Sequence, residues 1–362
     1  MMRSKLFLML LCSHGILLLS GCREKSSGSD TDRVPVKIER SGKAFISAVS
    51  SLDLVPLETM DGHLLGSSVQ LSLLQEGYLL ADKKNYKIYR YSADGHFGNE
   101  IGRRGKGPGE YIGFCSVQVI DGLVHVFDVS GKEIVYDQDG NLISEKTVPV
   151  GFHAYREDTG VLAYYGYSGQ REHRLIHESG DGFEKGFLKL DAKLLALDLE
   201  NEIFSPAADG GVCFIDSFSP TVYVYRDGQV TPHLSFDFGK YSIPETFFRA
   251  NDAFAAAESL FASDYAVVTS YSEEGEHKLV HLLVKDKGHD ENWSEYGVYD
   301  GSAWLWFSLS DYTDEALPGP LRFFESGILY GLFTAEELER MGIRETVASC
   351  DRDTYVVAKI HI

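Results

Sequence analysis

Several residues in this sequence have types and spacings that can do chemistry. His173/His177 and His277/His281 are both H-x-x-x-H pairs. On a helix, such a pair sets two imidazoles on one face and can hold zinc. Trp304 and Trp306 lie two apart, so on a strand they face the same side and form an apolar shelf for a sugar ring or another planar ligand. Ile101 to Tyr111 (IGRRGKGPGEY) gathers Gly102, Gly105, Gly107, Pro108 and Gly109 around Arg103, Arg104 and Glu110, groups that can meet an anionic or polar ligand. Cys115, Cys213 and Cys350 are candidate thiol ligands.

Which chemistry is available depends on the element beneath each residue. The histidine pairs lie in Tyr167–His177 (YSGQREHRLIH) and Tyr271–His281 (YSEEGEHKLVH), which match at an offset of 104 and read as strands. Four strand residues span roughly 13 Å, so neither pair then shares one ion. A phosphate loop needs its glycines directly before a helix N-terminus, and strand-like Tyr111–Ile120 follows here. The glycines therefore read as a tight crossover between sheets, with Arg103, Arg104 and Glu110 as ligand contacts if that crossover borders a channel. The tryptophan shelf can also pack against a neighbouring sheet or a helical insert. The three cysteines are odd in number, widely spaced and without a C-x-x-C pair, which supports neither a zinc cage nor a disulfide framework. Cys115 and Cys213 read as buried thiols. Asp137-x-Asp139-Gly140 lacks the later Glu of an EF-hand, and no G-x-S-x-G elbow occurs, so no catalytic residue and no metal ligand is assigned.

The positioning elements announce themselves as a repeat. Asp121 to Leu142 (DGLVHVFDVSGKEIVYDQDGNL) aligns without gaps on Asp209 to Val230 (DGGVCFIDSFSPTVYVYRDGQV) at an offset of 88, twice 44. Glu76 to Phe97 (EGYLLADKKNYKIYRYSADGHF) matches the first copy at an offset of 45. Each copy runs from one turn glycine through an apolar stretch to Asp82, Asp128 or Asp216, then through a second stretch to another Asp-Gly. Asp-Gly supplies the positive φ angles of a type I′ hairpin. One repeat is thus a small antiparallel meander that cannot bury both faces alone, and radial stacking of meanders solves this. The expected fold is an all-β, six-bladed β-propeller of four-stranded antiparallel blades, with seven blades as the alternative. Residues 242–263 read as a helical insert with Ser242 as N-cap and Pro244 in the first turn. A helix near 334–342 starts at Thr334 with Glu337 completing a capping box.

The amino terminus carries the address. Residues 1–21 read as an export signal, with Arg3 and Lys5 before an apolar run ending in Leu19-Ser20-Gly21-Cys22. This ending resembles the lipobox of bacterial lipoproteins, which implies a diacylglycerol on the Cys22 thiol and a membrane-lipid partner. Residues 22–33 read as a flexible tether and 34–362 as the propeller domain. Arg23 after the cysteine, where an Asp would mark retention in the inner membrane, points to the outer membrane. The chain has 34 Lys+Arg against 54 Asp+Glu, a formal charge of −20, which argues against a nucleic-acid partner.

Beyond the repeat, IGRRGKGPGEY after the first meander resembles the signature of the six-bladed β-propeller lipoproteins of Bacteroidetes, which are related to NHL-repeat propellers. Leu54–Thr59 (LVPLET) resembles the opening strand of that family and Thr354–Ile362 (TYVVAKIHI) its closing strand. The resemblance implies fold and location and carries no shared catalytic motif. The expected function is a membrane-anchored binding module for a glycan, peptide or partner protein, needing no cofactor. The alternative is a hydrolase, lactonase or lyase on a carbohydrate-like substrate, which would call for a divalent cation in the central channel.

Overall fold

The computed structural model describes residues 33–38, 49–59, 65–66, 68–190, 202–250, 252–288, 292–308, 321–343 and 347–362. The expected signal, Cys22 and the expected tether up to Asp32 lie outside them. Two short strands come first, β1 (Arg33–Pro35) and β2 (Ser51–Pro56). Blade 1 is β3 (Val69–Leu74), β4 (Gly77–Asp82), β5 (Lys87–Ser92) and β6 (Phe97–Glu100). Blade 2 is β7 (Phe114–Ile120), β8 (Leu123–Asp128), β9 (Lys132–Tyr136) and β10 (Leu142–Thr147). Blade 3 is β11 (His153–Glu157), β12 (Gly160–Tyr164), β13 (His173–Ser179) and β14 (Glu184–Lys189). Blade 4 is β15 (Phe204–Pro206), β16 (Val212–Ile215), β17 (Thr221–Arg226) and β18 (Gln229–Asp237). Blade 5 is β19 (Tyr265–Glu274), β20 (His277–Lys285), β21 (Asn292–Asp300) and β22 (Trp304–Ser308). Blade 6 is β23 (Leu321–Glu325), β24 (Ile328–Thr334) and β25 (Tyr355–His361), completed by β2.

Six antiparallel meanders therefore stand in a ring, and six rather than seven blades are present. The first strands face one another around the centre, β3 beside β7, β7 beside β11, β15 beside β19 and β19 beside β23. Side-chain amides stitch this inner wall together. Gln70 Nε2 donates to Val117 O at 2.9 Å, and Gln118 pairs with both backbone groups of Arg156 at 2.8 and 2.9 Å. The second strand and the last meet as partners. β2 pairs antiparallel with β25 from Ser51↔His361 to Pro56↔Val356, so a strand that precedes blade 1 supplies the outer strand of the last blade. Blade 4 gains a fifth strand, because β1 lies parallel along β18.

The turns explain the repeat. Asp121-Gly122 and Asp227-Gly228 have positive φ at both residues, as a type I′ hairpin requires. Asp139-Gly140 closes a longer turn, in which Asp137 accepts from Asn141 N at 2.8 Å and Asn141 Nδ2 at 2.8 Å. The aspartate inside each repeat is buried at the end of its blade's second strand. Asp128 accepts from the backbone N–H groups of Ile112 and Gly113 at 2.9 and 3.1 Å. Asp82 takes Gly66 N at 2.6 Å in the same way. A carboxylate there ties the second-to-third-strand turn to the segment entering the blade. It satisfies backbone donors that would otherwise be buried unpaired.

The insert between blades 4 and 5 departs from the expected single helix. A 3₁₀ turn at Gly239–Tyr241 precedes α1 (Glu245–Phe248) and α2 (Ala253–Phe261). Ser242 closes the 3₁₀ turn instead of capping a helix, and Pro244, not the first turn, is the N-cap position of α1. Asp252 starts α2 afresh by accepting from Ala255 N at 2.9 Å, so a good N-cap residue inside the run divides it. The second helix, α3 (Ala335–Arg340), has the predicted capping box, with Thr334 and Glu337 each accepting from the other's backbone N–H.

The crossover 101–113 shows what its glycines do. Gly102 and Gly109 have φ of +64° and +66°. A Cβ on Gly105 would sit 2.0 Å from Glu110 Oε2, and one on Gly109 would sit 3.0 Å from Leu142 Cδ2. Gly109 is also fixed through both backbone groups, its N–H to Glu145 and its carbonyl to Tyr136 OH, each at 2.8 Å. Gly109→Val should lower stability by about 2 kcal/mol through the forced positive φ. Gly109→Asn, whose side chain tolerates that region, should lose less. Urea melts of the two variants check this, and an order of Asn below Val would remove the backbone explanation.

Candidate functional site

The groups singled out in the sequence are dispersed around the ring. In the crossover, Glu110 accepts from Arg103 Nε at 2.6 Å and from Gly107 N at 2.7 Å. The Gly107 N–H and then Arg103 hold its carboxyl below the usual range. Arg104 Nε donates to Ile112 O at 3.0 Å, with its guanidinium over the Tyr86 ring. These contacts close the loop on itself, and the Arg103 side chain stays exposed.

Trp304 and Trp306 lie on β22, the outer strand of blade 5, with rings stacked at 5.3 Å. Phe236 on β18 of blade 4 meets both edge-on at 5.9 and 6.2 Å. The shelf thus forms part of the seam between blades 4 and 5. The histidine pairs sit on strands β13 and β20, each pair four residues apart along its strand. His177 Nε2 bonds Glu157 Oε1 at 2.7 Å, while His277 stacks near Phe324 of blade 6. His281 is held between Thr269 Oγ1 at 2.6 Å and Ser294 Oγ at 2.9 Å. Burial, with Arg322 nearby, pushes its pKa down to about 3, so it is a neutral hydrogen-bonding residue at neutral pH.

The buried charges gather in the seams between blades. Glu133 on β9 of blade 2 is fully buried and accepts from Arg156 Nε at 2.9 Å and from Lys146 Nζ at 3.0 Å, with His125 Nδ1 at 2.8 Å. Burial alone would raise its pKa, but these hydrogen bonds outweigh that and hold it well below the carboxylate range. Asp216 accepts from Arg174 Nε at 3.0 Å and Tyr164 OH at 2.9 Å, both from blade 3. Its pKa is raised, because burial dominates over Arg174.

A third seam carries donors of a different kind. Glu273 at the end of β19 accepts from Ala208 N at 3.0 Å and from the Tyr271 hydroxyl, and faces His233 Nε2 at 2.9 Å. Cys213 Sγ lies 3.7 Å from its Oε1. Burial is overcome by His233 and Tyr271, which bring the Glu273 pKa down to about 2. Burial and Glu273 together push the Cys213 thiol far up. Cys115, Cys213 and Cys350 are all free thiols. The sequence identifies Cys213 as a buried thiol but gives no hint of His233 and Glu273, which lie 20 and 60 positions away on other strands.

Outside the seams, the helical insert exposes apolar surface. Its inner side packs Phe247, Ala256 and Leu260 against Phe218 and Val267. Its outer side presents Phe254 at 81% exposure and Phe261 at 60%, seven residues apart on α2, with Phe248 at 39% close in sequence. A cleft of about 130 Å³ lies where blade 6 meets blade 1, lined by Leu57, Glu58, Leu65, Tyr91, Asp353 and Tyr355. Among the described residues no helix is long and apolar enough to cross a membrane.

Fold and site together define a six-bladed β-propeller in which Glu133, Asp216 and Glu273 each tie one blade to the next. Residues 34–340 match the family described as Domain of unknown function (DUF4934), and the chain belongs to that family. Its fold is similar to that of a candidate exported protein from Bacteroides fragilis, at 17% identity over 91% of this chain and 99% of that one, with a TM-score of 0.72. It is also similar to a DUF4221-family member from Bacteroides vulgatus, at 9% identity over 86% of this chain and 96% of that one, with a TM-score of 0.52. No curated protein matches the sequence.

The Glu133 seam makes a measurable pH signature. A carboxylate with a depressed folded-state pKa stabilises fully above its unfolded value, near 4.5, and loses that contribution as pH falls toward the folded value. Glu133→Gln should destabilise at pH 7 by about 3 kcal/mol, since Arg156 and Lys146 lose their counter-charge. The gap from wild type should narrow by about 1.4 kcal/mol per pH unit below 4.5. Urea melts at pH 7, 4 and 3 read this, and a constant gap would show that Glu133 does not carry the charge.

Proposed function

We propose that this chain is an exported lipoprotein of the six-bladed, NHL-related kind, held by diacylglycerol on Cys22 at the outer membrane. In this reading its propeller is a rigid binding module that engages a peptide or partner protein through the insert between blades 4 and 5. The exposed trio Phe248, Phe254 and Phe261 carries the proposal. Aromatics exposed together on one helical insert are costly to leave in water and are characteristic of contact surfaces. Here they sit on a helical pair whose opposite side is anchored in the core, so the scaffold holds them in place. The lipobox-like ending at Cys22 supports the anchor, and the likeness to a candidate exported protein of Bacteroides fragilis is in keeping with export.

Two experiments test the halves separately. Cys22→Ala should move the protein from the membrane fraction to the soluble extracytoplasmic fraction or stall its processing. A membrane fraction unchanged in amount and still at the processed size would refute lipid attachment. Phe254→Ser combined with Phe261→Ser should leave the melting temperature within a degree or two, because both rings are largely exposed. The same pair should abolish cross-linked partners recovered from intact cells by the wild type. An identical cross-linking pattern would refute the insert as the contact surface.

A further inference from the structure

The cluster between blades 4 and 5 has a donor set that the binding role does not use. Cys213 on β16, His233 on β18 and Glu273 on β19 each aim one ligand atom at a common point, and these atoms lie within 4.8 Å of one another. A tetrahedral ion with a sulfur at about 2.3 Å and nitrogen and oxygen at about 2.0 Å would separate its ligand atoms by roughly 3.3 to 3.6 Å. Cys213 Sγ lies 3.7 Å from Glu273 Oε1 and His233 Nε2 lies 2.9 Å from Oε2, and the three ligand atoms fall within 4.8 Å of one another, so side-chain shifts of about 1 Å would draw all three onto one ion. All three residues stand on strands, which fixes their directions.

Three further observations bear on the ligand. First, one thiol, one imidazole and one carboxylate suit zinc or cobalt and are a poor match for calcium or magnesium, which prefer oxygen. Second, outer partners already hold the carboxylate, with Ala208 N donating to Oε1 at 3.0 Å and the Tyr271 hydroxyl to Oε2. Such partners orient a metal ligand. Third, the seam lacks the guanidinium that the other two have. Glu133 and Asp216 each hold an arginine, whereas among the described residues the one ion-pair partner of Glu273 is His233. A doubly charged ion would compensate both the carboxylate and a Cys213 thiolate. Access exists on one side, because the His233 side chain is 24% exposed while Glu273 is buried.

We propose that Cys213 Sγ, His233 Nε2 and the Glu273 carboxylate bind one divalent ion of the zinc class, with water in the fourth position on the His233 side. The ion would staple the second and outer strands of blade 4 to the inner strand of blade 5. On binding, the Cys213 thiol releases its proton to solvent and forms a sulfur–metal bond, with no change of oxidation state.

The test uses the purified mature protein, stripped with a chelator and titrated with Co²⁺ alone. A thiolate-to-cobalt charge-transfer band should saturate at one equivalent, zinc should abolish it competitively, and zinc should raise the melting temperature. Cys213→Ser should remove the band, while Cys115→Ser and Cys350→Ser should keep it. Since Cys213 is buried and its variant can fail to fold, His233→Gln on the accessible side provides a second measurement. It should weaken cobalt binding by about tenfold or more. Absence of the band in folded wild type, its survival in Cys213→Ser, or unchanged affinity in His233→Gln would each overturn the assignment. The result is independent of whether Cys22 is acylated or the insert binds a partner.

Discussion

A four-stranded blade has two faces and can cover neither by itself, and the rest of this structure follows from that constraint. The apolar clusters accordingly lie between blades. One joins blades 1 and 2 through Leu79, Val124 and Tyr136, and another joins blades 5 and 6 through Tyr296, Leu329 and Val356. Such a ring has no stable subset, because stopping at any blade leaves a face in water. Closure is therefore the decisive contact, and it is made by strands from opposite ends of the chain, Val55 facing Val357. The entropy of bringing them together grows only logarithmically, by about 0.6 kcal/mol for each doubling of the loop. Once the intervening blades have ordered, little of that loop is still free.

Because the seams carry the stability, polar groups placed in them must be fully partnered. Replacing a buried ion pair with apolar residues is often neutral or stabilising, so such pairs are better read as setting geometry than as adding net stability. Their placement fits that role. Arg156 of blade 3 meets Glu133 of blade 2, and Arg174 of blade 3 meets Asp216 of blade 4. Each pair forms only when neighbouring blades adopt one relative rotation, which apolar packing alone specifies less sharply. The seam at Glu273 breaks the pattern, with a thiol and an imidazole where the others have guanidinium groups. That departure is the reason it invites an ion.

How much of this is legible in the sequence depends on whether the physical cause is local. Turn chemistry is local, so Asp121-Gly122 and Asp227-Gly228 mark hairpins, and Thr334 with Glu337 marks a helix start. The repeated Asp82, Asp128 and Asp216 are visible as a pattern, although their task of receiving backbone N–H groups or side chains from elsewhere is not. The division of the insert at Asp252 shows two local signals in competition, helix propensity against a capping side chain. The strand β1 leaves almost no trace, since three residues carry no periodicity and its partner is some 200 positions away. The convergence of Cys213, His233 and Glu273 is wholly tertiary. It depends on the outer strand of one blade and the inner strand of the next, a relation that strand alternation does not encode.

The topology also bears on where a partner could dock. Within each antiparallel blade, the turn from second to third strand and the crossover to the next blade leave from the same strand ends. The opposite ends carry the tight turns such as Asp121-Gly122 and Ser326-Gly327. Long connections are thus collected at one end of the ring. The crossover 101–113, the insert with Phe254 and Phe261, and α3 between β24 and β25 all belong there. The tight turns at the other end are short because type I′ geometry leaves no room for elaboration. A ring that must keep its seams closed can vary only where loops have length to spare, and in this chain those loops lie at one end and include the insert with Phe248, Phe254 and Phe261.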